Sequence, residues 1–92
     1  MVKLFQLNLK KNKLKFAVII TLKKDVLDPQ GKVIEQTLQS MGVNSLKNLR
    51  QGKYIELELN ETNEKKAHNS IEDMCKKLLV NLIIEEYKIK KI

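Results

Sequence analysis

From Leu14 to Lys23 the chain alternates. Leu14, Phe16, Val18, Ile20 and Leu22 fall on one side; Lys15, Ala17, Ile19, Thr21 and Lys23 fall on the other. A period of two, rich in β-branched residues, predicts a strand. Ala17 and Ile19 are apolar as well, so the strand reads as central, with part of its second face covered. Asp28-Pro29 reads as a helix start. Asp28 offers a carboxylate to a free backbone N–H, and Pro29 fits the first helical position, where its missing N–H costs nothing. Ile34, Leu38 and Met41 follow at helical spacing beside Val33, and Gly42 suits the left-handed residue that closes a helix.

Leu46 to Leu59 reads as extended, with Ile55, Leu57 and Leu59 on one side and Tyr54, Glu56 and Glu58 on the other. Gln51-Gly52 interrupts it, which predicts a tight turn between two strands, or else a bulge in one long bent strand. Asn60 to Asn63 is a polar turn from which Thr62 or Asn63 caps a second helix. Its apolar stripe is Ala67, Ile71, Met74, Cys75, Leu78 and Leu82, with Glu64 near the start and Lys76-Lys77 near the end, as the helix dipole favours. Asn81 closes it, and Ile83 to Ile92 reads as a last strand with Ile83, Tyr87 and Ile89 on one face.

The order strand, helix, strand, strand, helix, strand is that of an α+β, ferredoxin-like βαββαβ two-layer sandwich. It has a four-stranded antiparallel sheet with two helices on one face. We read residues 14–92 as one domain. Residues 1–13, in which Phe5, Leu7 and Leu9 alternate, extend the first strand or form a short edge hairpin. The bare sheet face would carry Ala17 and Ile19, an apolar patch most simply buried against another subunit.

Composition narrows the picture. At 92 residues, 42% hydrophobic and 32% charged, the chain suits a globular domain. A chain of this size buries roughly 60–65% of its unfolded surface, enough for one modest core. A single cysteine, Cys75, excludes an internal disulfide and a thiolate pair for zinc, and points to a reducing, cytoplasmic setting. The Phe16–Ile20 apolar run is far short of the roughly 20 residues of a membrane span. Lys23-Lys24-Asp25 follows it in place of a signal-peptide cleavage site.

Candidate chemistry is sparse. His68 lies among polar neighbours and reads as a surface residue, since no nucleophile or orienting acid can be placed beside it. Gly31, Gly42 and Gly52 are too far apart for a phosphate loop. Cys75 reads as a packed core thiol. Gly31 is unusual in a first helical turn, where glycine costs up to about 1 kcal/mol relative to alanine. Something must approach that backbone: a neighbouring subunit, another loop or an anion.

The net charge of +7 invites a nucleic-acid reading. Lys10, Lys11, Lys13 and Lys15 would meet Lys88, Lys90 and Lys91 at one corner of the sheet. An RNA-recognition module, however, displays aromatics on its open face. Here that face offers Lys15, Ala17, Ile19, Thr21 and Tyr54, followed by Glu56 and Glu58, whose carboxylates would repel a phosphate backbone. The lysines therefore read as a solvated, aggregation-resistant edge, and neither nucleic acid nor membrane is expected as a partner.

Three local patterns carry a family resemblance: Leu27-Asp28-Pro29-Gln30-Gly31; Arg50-Gln51-Gly52-Lys53-Tyr54; and Met74-Cys75-Lys76-Lys77-Leu78-Leu79 followed by Asn81 and Ile84-Glu85-Glu86-Tyr87. In this order and at these separations, from about Leu14 to Tyr87, the chain resembles the PurS family, the small subunits of phosphoribosylformylglycinamidine synthase in purine biosynthesis. The basic ends and residues 1–13 depart from the family pattern.

The resemblance implies a subunit without catalytic residues, metal or cofactor of its own. It would act in a complex that uses ATP and magnesium, helping to join a glutaminase (PurQ-like) subunit to a synthetase (PurL-like) subunit and associating with itself as a dimer or higher oligomer. It implies docking surfaces at Asp28, Pro29, Gln30 and Gly31 and at Arg50, Gly52, Lys53 and Tyr54, to which the bare sheet face adds Ala17 and Ile19 as candidate oligomer contacts. The alternative function is a small-molecule-binding regulatory domain of the same architecture, with the ligand at the Gly31 turn.

Overall fold

The computed structural model describes residues 13–92. Strand β1 (Lys13–Leu22) is followed by helix α1 (Pro29–Ser40), strand β2 (Gly52–Asn60), helix α2 (Glu64–Met74), a π-helical turn (Cys75–Leu79) and strand β3 (Glu85–Lys91). The strands form an antiparallel sheet in the order β2-β1-β3, with the alternating, doubly apolar β1 in the centre. The α+β ferredoxin-like architecture with an open sheet face holds. The extension expected over residues 1–13 lies outside the described residues, except for Lys13, which opens β1.

Among the described residues the sheet has three strands, not four. The hairpin expected about Gln51-Gly52 does not form; β2 begins at Gly52, and the preceding residues are irregular. Their backbone donors are taken by side chains. Leu49 N donates to Glu35 Oε1 (2.8 Å) and Gln51 N to Asp28 Oδ2 (2.9 Å), so neither is free for a ladder.

The core is built from Phe16, Val18 and Ile20 of β1, Ala67 and Ile71 of α2, Cys75 of the π turn and Val80 beyond it. Ile55, Leu57 and Leu59 of β2 and Tyr87 and Ile89 of β3 pack against it. Helix α1 contributes nothing to this cluster. Its only buried residues are Gly31 and Glu35, while Val33 and Met41 are exposed and Ile34 is 36% exposed. Of the two helices, α2 therefore supplies the apolar residues of the core, while α1 is joined through polar contacts.

Helix ends follow the sequence signals. Asp28 caps α1 and Asn63, not Thr62, caps α2, each accepting from the amide three residues on (3.0 Å in both). Gly42 adopts φ +103°, and the Val43 and Gly42 amides reach back to Leu38 O and Gln39 O, the paired bonds of a Schellman stop.

The expected stripe of the second helix breaks at the π turn. The extra residue in that turn rotates the following side chains by about 100°. Leu78 and Leu82 are therefore exposed, and Val80 enters the core instead. Ile83 is likewise exposed, because β3 starts at Glu85. Residues 81–85 form a turn in which Asn81 accepts from Ile83, Ile84 and Glu85 amides.

Candidate docking surface

Two of the sequence patterns meet in space. After β1 the chain turns into α1 at Asp28, a residue only 6% exposed. One carboxylate oxygen accepts from Gly31 N (3.0 Å) and the other from Gln51 N (2.9 Å). These two backbone bonds, Gln51 first, hold the Asp28 carboxyl below its ordinary range, with Arg50 adding a smaller charge effect. A Cβ at position 31 would sit 2.8 Å from Asp28 Cγ and closer still to Oδ2. What approaches the Gly31 backbone is therefore this chain's own carboxylate, and the negative charge the helix N-terminus attracts is already there.

Arg50 bridges the same turn from the other side. Its Nη2 donates to the carbonyls of Lys23 (3.0 Å) and Val26 (2.9 Å). Gln51 Nε2 donates to Gln30 Oε1 (2.6 Å). One and two turns further along α1, Glu35 accepts from Leu49 N and from Lys32 Nζ (2.9 Å), and Gln39 donates to Leu46 O (2.9 Å). Lys32 and the Leu49 amide hold the Glu35 carboxyl below its usual range. Residues 46–51 thus run back along α1, fastened by Asp28, Gln30, Glu35 and Gln39. Glu35 and Gln39 are absent from the resemblance patterns. Their signal is spacing: positions 28, 31, 35 and 39 fall on one side of a helix.

Gly52 lies against β1, where a Cβ would press on the Ile20 carbonyl oxygen and stand 3.1 Å from Thr21 Cγ2. Lys53 reaches Glu85 of β3 (3.6 Å) past Ile20 of the central strand. Tyr54 is paired with Ile19 and is exposed on the open face. The eight candidate docking residues therefore divide. Asp28 and Gly31 are buried within the turn, whereas Arg50 and Gly52 are exposed but engaged by the chain's own backbone, and Pro29, Gln30, Lys53 and Tyr54 are exposed. A surface recess of about 360 Å³ is lined by the loop from Lys24 to Asp28 together with Lys32, Glu35 and residues 48–50.

The open face has a definite charge order. Glu58 pairs across from Lys15, Glu56 from Ala17 and Tyr54 from Ile19. On the other flank, Lys90 lies across from Ala17, Lys88 from Ile19 and Glu86 from Thr21. Ala17 is only 1% exposed between its long-stemmed neighbours, which leaves Ile19 and Tyr54 as the apolar surface of this face. The lysine corner is partly neutralised, Lys13 by Glu58 (3.8 Å) and Lys91 by Glu64 (3.3 Å). Cys75 is buried in the core and its thiol is pushed up by that burial and by Glu72. Among the described residues no helix is long and apolar enough to cross a membrane.

The chain is similar to PurS subunits of phosphoribosylformylglycinamidine synthase. That of Methanocaldococcus jannaschii is 43% identical over 76 residues, 83% of this chain and 92% of the relative. That of Bacillus subtilis is 40% identical over 74 residues, 80% of this chain and 87% of the relative. In structure it superposes on the Thermotoga maritima purS subunit with a TM-score of 0.81 at 36% identity, covering 87% of this chain and 92% of that one. A chain of the Thermotoga maritima PurLQS structure matches with a TM-score of 0.82 at 36% identity, covering 87% of this chain and 98% of that one. The family model of PurS, phosphoribosylformylglycinamidine (FGAM) synthase, matches residues 15–92, and the chain belongs to that family.

Proposed function

We propose that this chain is a non-catalytic assembly subunit of phosphoribosylformylglycinamidine synthase that docks a glutaminase subunit to an ATP-dependent synthetase subunit. The observation that carries this reading is the likeness to a chain of the PurLQS structure, nearly all of which is matched. The synthetase subunit, using ATP and magnesium, activates the formamide oxygen of formylglycinamide ribonucleotide. Ammonia from the glutaminase then displaces the phosphate to give formylglycinamidine ribonucleotide. Ammonia released into neutral water would be mostly protonated and lose its nucleophilicity, so the two sites must be held together and the transfer shielded. The work left for a third subunit is geometric, and it takes place in the cytoplasm.

The chemistry of this chain fits such a role. Its buried acids, Asp28 and Glu35, have all four carboxylate oxygens engaged by internal donors and act as fasteners. The fastened turn presents Pro29 and Gln30, and the start of β2 presents Lys53 and Tyr54, as contacts for the other subunits. The open sheet face around Ala17 and Ile19 meets a second copy of the chain. The alternative of a small molecule at the Gly31 turn loses its support, because the Asp28 carboxylate occupies that approach.

Reconstitution tests the proposal. Synthetase and glutaminase subunits from the same source are mixed with glutamine, ATP, magnesium and formylglycinamide ribonucleotide, with and without this chain. Glutamine-dependent product is expected only with the chain, while ammonia-dependent synthesis proceeds without it. Equal glutamine-dependent turnover in both mixtures overturns the proposal.

A further inference from the structure

Among the described residues α2 is the helix that packs on the sheet, and a groove opens beside it over the edge strand β3. Its volume is about 630 Å³, within the roughly 300–1,000 Å³ of small-molecule sites. The floor is apolar, made by Phe16 of β1 and the half-buried Ile89 of β3. One wall is α2, where Lys65, His68 and Asn69 stand at positions i, i+3 and i+4 and so share a flank. The opposite side carries Lys91, two residues beyond Ile89 on the same face of β3.

The acid lining this groove, Glu64, is spent on Lys91 (3.3 Å), so those two charges offset one another. Lys65 and His68 make no ion pair among the described residues. With the Asn69 amide beside them they form a wall of hydrogen-bond donors that favours an anion. A phosphate suits this wall better than a carboxylate. Its three terminal oxygens can accept from three neighbouring side chains at once, where a carboxylate offers two. The apolar floor does nothing for a bare ion. It favours an anion joined to a flat or apolar body that Phe16 and Ile89 can take out of water.

We infer that the groove between α2 and β3 binds a small phosphate monoester of the nucleoside monophosphate class, with the phosphate on Lys65, His68 and Asn69 and the base over Phe16 and Ile89. The Lys91–Glu64 pair closes the end of the groove and keeps the glutamate from repelling the phosphate. The edge position of β3 leaves the outer side open for entry. This inference does not rest on the assembly role, and the reconstitution result leaves it standing or falling on its own test.

The test titrates the whole chain with adenosine monophosphate, adenosine and inorganic phosphate, followed by amide chemical shifts and by calorimetry. Adenosine monophosphate is expected to bind with a Kd below about 1 mM and to move the amides of residues 65–69 and 89–91. Adenosine and inorganic phosphate should each bind at least about tenfold more weakly, because each meets only the floor or only the wall. Lys65→Glu should weaken adenosine monophosphate by about tenfold or more, and Lys65→Arg should retain it. Lys76→Glu, at an exposed residue toward the other end of the same helical run, makes the same change in net charge and should leave the affinity unaltered. Circular dichroism confirms that each variant is folded. Absence of binding, or equal weakening by Lys65→Glu and Lys76→Glu, overturns the site. Inorganic phosphate as tight as the nucleotide overturns the base on the floor, and adenosine as tight overturns the phosphate on the wall.

Discussion

The carboxylate of Asp28 accepts from the amide of Gln51, 23 residues further along the chain, while also capping its own helix at Gly31. One side chain thus ends a strand connection, starts a helix and anchors the segment that leads into β2. Asp28→Asn retains an oxygen for the cap but turns an amide donor toward the Gln51 N–H. Faster hydrogen exchange is expected at the Gln51 amide than in the unaltered chain, with Gly31 little changed. Equal protection at Gln51 would mean that the tie is unimportant.

Acid should loosen this region. Asp28 and Glu35 both have folded-state pKa values depressed below their ordinary 3.8 and 4.5. A depressed carboxyl contributes stability that is present above the unfolded value and lost as pH falls through the folded one. The loss is expected to begin below about pH 4.5, the ordinary value for glutamate, and to deepen toward lower pH. Urea denaturation at stepped pH measures it, and the Glu35→Gln variant should show a shallower acid limb.

Two glycines should rank in a definite order. Gly31→Ala brings a methyl against the Asp28 carboxylate, a side chain that can turn aside at the expense of the Gln51 tie. Gly52→Ala presses on the Ile20 carbonyl, which is backbone of the central strand. The second substitution is expected to cost more, in the upper part of the roughly 1–3 kcal/mol typical of overpacking. Equilibrium unfolding of the two variants decides the order.

The π turn makes opposite predictions for neighbouring leucines. Leu78→Ser, on an exposed side chain, should change stability by less than about 0.5 kcal/mol. Leu79→Ala, at a residue packed against the core, should cost clearly more, and Ile71→Ala, at a fully buried one, about 2–5 kcal/mol. A regular helix through residue 82 would reverse the first two.

Much of the fold was legible because local signals agreed with tertiary ones. The alternation about Val18, the Asp28-Pro29 start, the Asn63 cap and the Gly42 stop each act through the chain's own backbone. The failures have two separate physical causes. The strand expected before Gln51 was lost to carboxylates far away in sequence, and those long-range bonds leave no periodic trace. The stripe ending at Leu82 failed because a single extra residue in the π turn changes the helical phase without any marker such as proline or glycine. At the turn around Asp28 and Arg50 the patterns picked out residues that lie together in space, but not the bonds that join them. Asp28 and Arg50 look like surface charges in sequence, yet their partners are backbone groups of the same turn.

Helix α1 is joined to the rest of the chain mainly through side-chain hydrogen bonds to residues 46–51, and it shares no residue with the core built on β1 and α2. Segments held in this way open at lower free energy than the body that carries them. Residues 29–51 should therefore behave as a separate cooperative unit that melts before the sheet. Opening of residues 29–51 would then leave the body built on β1 and α2 folded, so that the ties at Asp28 and Glu35 set how firmly this arm is held.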